Sequence, residues 1–424
     1  MMAKLMTDSL KVWARDYKIA GFRFDLMGHH LRKNLVDAYR AVRRIDRDTY
    51  FYGEGWDFGE VASNARGINA TQLNMAGTGI GTFNDRQRDA VRGGSPFDSG
   101  ENIRRNQGFA NGLYVLPNEL NGAGAQEKAQ LLHAADLIRV GIAGGLRDYQ
   151  FVTADGSTRK GKDIDYNGQP AGYTLDPQET VNYVSKHDNQ TLWDNNQYKL
   201  PATLSVSDRV RLQLVALSVP LFSQGVPFIH LGSDILRSKS MQRDSYDSGD
   251  WFNAVDFSYQ DNNWNKGLPR ADKDADNWPL IRQVIADPHA KPSASDIIAA
   301  KRRFVELLRI RTDSPLFQLD NAREVQRRLR FHNTGAQQKP GVIAFSLADG
   351  PGAGRDLDRR YGSMMVVLNA SGDRVRLPGA TGHQLHPVLQ RSSDAVSRQA
   401  KVTEGEFEVP PFTTAVFVQP QQRR

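Results

Sequence analysis

The 424-residue sequence contains no cysteine. That excludes disulfide staples, thiolate nucleophiles and cysteine-based zinc sites, and it leaves the compartment open. No apolar run approaches the roughly 20 residues that a membrane-spanning helix requires. The opening stretch MMAKLMTDSLKVWARDY lacks the basic end, apolar core and small-residue cleavage site of a signal peptide. Instead, Met6, Leu10, Trp13 and Tyr17 recur at helical spacing, so the chain opens directly in an amphipathic helix. A field of one charge sign is also missing. The net charge is +7, but basic residues are spread along the chain and alternate with acids. Without a basic stripe interleaved with aromatics, this excess describes a solvated surface and no nucleic-acid partner.

What is present is ordinary globular material, 39% hydrophobic and 24% charged. It is long enough for two or three domains, or for one large barrel with an appendage. Up to residue 315 the pattern is α/β. Leu35, Ala38, Val42 and Ile45 mark one helix, and Leu131, Ala134, Ala135, Ile138 and Ile142 another that Gly144 and Gly145 should stop. Ser207 or Asp208 should cap an apolar helix reaching Phe222, residues 225–234 should form a strand, and the last helix should run from about Ser295 to Arg311. Residues 95–178 hold Gly-, Asn- and Pro-rich stretches too long for a plain connection, which reads as a loop excursion. From 316 to 424 the period changes from 3.6 to 2, in VQRRLRFH, GVIAFSL, SMMVVLN and FTTAVFV. Turn residues at Asn333 and Gly335, at 350–354, at Ser371 and Gly372, and at Gly379 separate them. This predicts an antiparallel all-β domain after the α/β unit. No internal repeat is visible.

Three stretches of the α/β unit end in charge. In GFRFDLMGHH (21–30), strand alternation puts Arg23 and Asp25 on one face and Phe22 and Phe24 on the other. In TYFYGEGW (49–56), Glu54 stands between Gly53 and Gly55, which should leave room for a ligand. Trp56 follows, either as a ring face for stacking on a sugar or as plain core. In TVNYVSKHDNQTLWD (180–194), His187, Asp188 and Asn189 are suited to gripping hydroxyls. A metal reading of His187 with Asp188 finds no further ligand at metal spacing. Arg23 and Asp25 could equally be a structural ion pair at a strand end. At the ends of parallel barrel strands, however, the three acids would converge on one mouth.

Two facing carboxylates are what glycoside hydrolysis needs, one attacking and one protonating the leaving oxygen. Asp25 beside Arg23 should stay ionised and suits the nucleophile. Glu54, with apolar and glycine neighbours in sequence, is expected to hold the proton of a general acid.

These stretches, together with SKSMQRDSYDSGDWFN (238–253), resemble conserved regions of the α-amylase superfamily, glycoside hydrolase family 13. The wording is nearest to its bacterial pullulanase and pullulanase-type α-1,6-glucosidase subgroup. The resemblance covers nearly the whole chain. It implies strands 4 to 8 of a (β/α)8 TIM barrel over 1–315, followed by a C-terminal antiparallel β-sandwich domain over 316–424. The implied activity is retaining hydrolysis of α-1,6-glucosidic links in pullulan, glycogen or branched dextrins. Asp25 would be the nucleophile, Glu54 the general acid and then base, and Asp188 the transition-state stabiliser. Arg23 and His187 would contact the same sugar, while Trp56, Asn189, Tyr246 and Asp247 would shape neighbouring subsites. A retaining mechanism places the carboxyl groups of Asp25 and Glu54 roughly 5 to 5.5 Å apart.

The partner implied is an α-glucan polysaccharide or oligosaccharide, with no nucleic acid, no membrane span and an open oligomeric state. No cofactor is required for the chemistry; a structural Ca2+ ion is compatible with the resemblance, but no residue pattern points to one. Three barrel strands and a first conserved region that family members carry before the opening helix are absent here. The chain is therefore expected to be the C-terminal part of a longer enzyme, with its natural N-terminus upstream of Met1 and its location either secreted, periplasmic or cytoplasmic. The edge strand near 21–27 would then lack a partner, which favours poor solubility. Two other readings stay open, an α-1,4-acting or transglycosylating relative and a truncated inactive fragment that binds α-glucan.

Overall fold

A computed structural model of the protein describes residues 1–350 and 352–421. Pro351, inside the expected 350–354 turn, and residues 422–424 of the expected β domain lie outside the described residues.

The first half is built on a parallel sheet. Strands β1 (Gly21–Phe24), β2 (Tyr50–Gly53) and β3 (Gly81–Phe83) are followed by two small hairpins, β4 (Gln150–Val152) with β5 (Thr158–Lys160) and β6 (Asp165–Tyr166) with β7 (Gln169–Pro170). Strands β8 (Thr180–Asn182) and β9 (Val226–Pro227) then complete a five-stranded parallel sheet in the order β1-β2-β3-β8-β9. Helices α1 (Met2–Arg15) and α2 (Arg32–Arg43) cover one side. Leu10, Leu35, Ala38, Val42, Phe51 and Ile80 form their shared core. Phe22 and Phe24 pack on Phe51, with ring centroids 5.5 and 5.1 Å away, so the alternation read from the sequence does turn the two phenylalanines, each partly buried, onto the core under the helices. The sheet does not close on itself, and β1 and β9 each keep one free edge among the described residues.

Short helices α3 (Gln72–Met75), α4 (Asp85–Arg92) and α5 (Glu101–Arg105) precede the long α6 (Ala125–Ile142), and α7 (Leu192–Lys199) precedes α8 (Val206–Phe222). The cap of α8 is Ser205, whose side chain accepts from the Asp208 amide. It is neither of the residues expected. Asp208 occupies the third helical position, where its carboxylate bonds back to the Ser205 hydroxyl at 2.7 Å. The excursion also differs from expectation, since 150–170 is paired into hairpins. Buried Arg86 anchors the second of them, donating to Gln169 Oε1 at 3.0 Å and lying over the rings of Tyr166 and Tyr173. The strand expected over 225–234 is paired only at Val226–Pro227.

The second half contains β10 (Leu329–His332), β11 (Val342–Ala348), β12 (Tyr361–Asn369), β13 (Val375–Pro378), β14 (Gln384–Leu385), β15 (Lys401–Thr403), β16 (Glu406–Val409) and β17 (Thr413–Pro420). They make an antiparallel sheet β10-β11-β12-β17-β14 and a smaller one, β13-β16-β15. VQRRLRFH begins in a helix, Ala322–Arg328, and becomes strand only at Leu329. Asn321 caps that helix by accepting from the Glu324 amide, and the fully buried Arg328 pairs with Glu324 and Asp349. The core is continuous across both halves. Helix α8 packs against β12, β17 and the long helix Ala294–Asp313, and is buried on almost every side. No helix among the described residues is long and apolar enough to cross a membrane.

Candidate active site

Parallel pairing alone brings the first two acids together. Phe24 is in register with Gly53, so the next residue on each strand, Asp25 and Glu54, leaves the sheet side by side. The turn after β1 then folds tightly across β2. Leu26 adopts a left-handed conformation, φ 45°, in which its amide donates to Glu54 Oε2 at 3.0 Å. Such a conformation costs a residue with a Cβ about 1–2 kcal/mol, and here it aims a backbone donor at a buried carboxylate. Gly28 closes the turn, and a Cβ there would meet the Trp56 carbonyl oxygen at 2.0 Å. Gly53 has a similar duty, because its Cβ would meet the Phe24 carbonyl oxygen at 2.4 Å. The glycines around Glu54 therefore admit neighbouring backbone, not the ligand expected from the sequence.

Glu54 is only 4% exposed, against 68% for Asp25. Arg23 pairs with Asp25 and places Nη2 2.9 Å from Glu54 Oε1, an ion pair without hydrogen-bond alignment. Lys186, 5% exposed, donates to Glu54 Oε1 at 2.7 Å and pairs with Asp188. The apolar shell expected around Glu54 is thus replaced by two cations and an amide. Asp188 faces His187, Nε2 to Oδ1 3.3 Å. Burial opposes ionisation of Asp188, but the Lys186 hydrogen bond and charge, with His187 and Arg23, hold its carboxyl below the ordinary value. Burial and then Lys186 lower the pKa of the His187 imidazole, against the pull of Asp188.

One ligand atom each from Asp25, Glu54 and His187 lies within 4.8 Å of the other two. Their spacing would admit a cation, yet a divalent ion on Glu54 would have to displace Arg23 and Lys186.

Trp56 is half-buried and packs on the cluster of Phe83, Val181 and Tyr183. Asn189, φ 64°, turns the chain immediately after Asp188. Tyr246 and Asp247 are exposed and touch none of the acids. Tyr246 receives a hydrogen bond and a cation–π contact from Lys273, and Asp247 pairs with Arg270 at 3.1 Å. Their segment reaches the site through another side chain. Buried Lys239 donates to the His187 carbonyl at 3.0 Å and to Ser245 Oγ at 3.1 Å, and burial pushes its ammonium down to about 8 despite the nearby Asp194.

Lys186, Lys239 and Arg92, which donates to the Val184 and Gln190 carbonyls that bracket His187 and Asp188, did not stand out in the sequence. Lys186 had a signal, since strand alternation puts it on the same side as Asp188, two residues away.

Residues 259–420 match the model of the C-terminal domain of α-1,6-glucosidases of pullulanase type. The chain is also 44% identical to a pullulanase of Klebsiella pneumoniae across 99% of its own length and 38% of that protein's. Over its own length, the chain is similar to the C-terminal part of pullulanases. A chloroplastic pullulanase of Arabidopsis thaliana is 45% identical, over 99% of this chain and 45% of that one. The structure superposes on a Klebsiella pneumoniae pullulanase in complex with maltotriose with a TM-score of 0.94 at 44% identity, covering 100% of this chain and 45% of that one. The chain thus spans less than half the length of the pullulanases it matches.

Proposed function

We propose that this chain carries the reacting groups of a retaining glycoside hydrolase acting on α-1,6-glucosidic links in pullulan, glycogen or branched dextrins. The observation that carries the reading is the meeting of Asp25 and Glu54, one residue beyond paired positions of adjacent parallel strands, with Asp188 joined to Glu54 through Lys186. Matches to proteins named pullulanases, one of them holding maltotriose, supply the substrate class. In this reading Asp25 attacks the anomeric carbon as its bond to O6 of the next glucose breaks, and Glu54 gives O6 its proton. Water then adds to the same carbon, returning a proton to Glu54 and releasing Asp25. Asp188 takes hydroxyls of the distorted sugar while Arg23 and His187 hold the same ring. Trp56 and Asn189 border the neighbouring subsites, and Tyr246 and Asp247 lie on the outer rim.

The same reading makes the parallel sheet an arc of a (β/α)8 barrel over 1–315 and the two antiparallel sheets a β-sandwich over 316–424. Release of reducing ends from pullulan, compared with unbranched amylose, tests it; activity on amylose alone would overturn the linkage. The free edge of β1 favours a second reading, in which the chain by itself holds α-glucan without turning it over. Saturable maltotriose binding with no reducing ends released from pullulan would decide for that alternative.

A further inference from the structure

Away from the acids, a cleft of about 490 Å³ opens between α2 and the 76–79 turn that leads into β3. The acids lie beyond the C-terminal ends of β1 and β2, whereas this turn precedes the N-terminal end of its strand, so the cleft reaches the opposite edge of the sheet. Arg32, Arg40, Arg43 and Arg44 line it, with Tyr39 and Thr78 between them. None of the four guanidinium groups forms an ion pair among the described residues, while the nearby acid on the same helix, Asp37, is engaged by Lys33 at 2.5 Å. Asp37 also feels the charge of Arg40, which helps hold its carboxyl low. Two of the arginines are already oriented. Arg32 Nε donates to the Asn74 carbonyl at 2.7 Å, which leaves its terminal nitrogens free, and Arg43 donates to the Tyr39 hydroxyl at 2.8 Å while lying over its ring.

Cations in the last turn of a helix complement its dipole, which accounts for Arg40, Arg43 and Arg44 without any ligand. It does not account for Arg32, in the first turn, where the dipole opposes a cation. A cleft of this volume is large enough for a small organic ligand and several times larger than a lone phosphate ion requires. Arg32 and Arg44 are separated by about 18 Å of helix rise, so a single phosphate is gripped at one end of the cleft only. The chemistry of the ligand follows from the lining: Val36 is the one aliphatic side chain, which disfavours lipid, and the Tyr39 ring is covered by Arg43, which leaves no stacking face for a nucleobase.

We propose that this cleft binds a phosphomonoester carried on a sugar, with the arginines gripping phosphate oxygens. Such a phosphate could belong to a free sugar phosphate or to a phosphorylated α-glucan. The proposal does not depend on the catalytic reading, because binding here is measured without turnover. Titration calorimetry of the full chain with fructose 1,6-bisphosphate, glucose 6-phosphate and 6-phosphomaltotetraose, with maltotetraose as the neutral control, tests it. One-to-one binding of at least one phosphate is expected, weakened about tenfold or more in the R40A/R44A double variant and weakened less in R40K/R44K. Binding of the free sugar phosphates identifies the first source, and binding of 6-phosphomaltotetraose alone the second. No saturable binding by any of the three, equal binding of maltotetraose, or undiminished affinity in R40A/R44A would overturn the site. Arg40 and Arg44 are exposed, so both variants are expected to keep the native circular dichroism spectrum.

Discussion

Replacing Lys186 by methionine keeps most of the side-chain volume and removes only the charge that joins Glu54 to Asp188. Lys186 and Glu54 are 5% and 4% exposed, and their 2.7 Å contact is inside the protein. Removing one member of a buried pair typically costs about 3–5 kcal/mol. Glu54 keeps Arg23 and the Leu26 amide, and Asp188 is half exposed and can turn to water, so the expected loss is smaller, about 1–3 kcal/mol. The double-mutant cycle with Glu54→Gln, read by denaturant unfolding of this chain, isolates the shared interaction. If one contact links the two residues, the double variant is less destabilised than the sum of the singles by about 1–2 kcal/mol. In a turnover assay on pullulan, Lys186→Met is expected to lower kcat about a hundredfold with a smaller change in KM, since under the proposed mechanism it displaces the general acid Glu54 and the stabilising Asp188 at once. Lys186→Arg should recover part of that loss. Strict additivity in the cycle together with undiminished kcat would refute the clamp.

Asp25→Asn and Glu54→Gln are each expected to lower turnover on pullulan by several orders of magnitude with little change in the circular dichroism spectrum, and near wild-type rates in either would sink the role assignment. Gly28→Ala should destabilise the chain by about 1–3 kcal/mol, because its methyl would overlap the Trp56 carbonyl; an unchanged melting temperature would show that the turn relaxes freely. Burial, then the charges of Arg237 and Lys239, push the His230 imidazole from 6.5 down to about 3. The unfolded chain therefore binds the extra proton first, so this stabilisation is complete above about 6.5 and is lost as pH falls toward about 3. His230→Gln should flatten the stability profile in that window, measured by urea midpoints at successive pH values.

Several features were legible because they are local. The alternation of Phe22, Arg23, Phe24 and Asp25, the helical recurrence of Leu35, Ala38 and Val42, and the switch to period 2 in GVIAFSL and SMMVVLN each need only neighbours in sequence, and each reappears as a buried face or a strand. Errors arose where two local signals compete. VQRRLRFH alternates like a strand, yet the Asn321 cap and the buried ion pairs of Arg328 hold its first half in a helix. Ser205, Ser207 and Asp208 can all cap a helix, and the first of them prevails because Asp208 can then bond back to it. The hairpin of 165–170 carries little apolar signal of its own and is held by Arg86 from a distant helix.

The sequence by itself determined which residues end the strands in charge, which faces are apolar and where the α/β pattern gives way to β, because side-chain periodicity follows directly from backbone geometry. Only the tertiary structure decided what each charge meets. Lys186 and Glu54 are 132 residues apart in the chain, and their contact exists because β1, β2, β3 and β8 pair in one parallel order and register. A carboxylate's neighbours depend on that long-range register and on burial. Glu54, flanked by glycines in the sequence, is for that reason held by two cations in the fold.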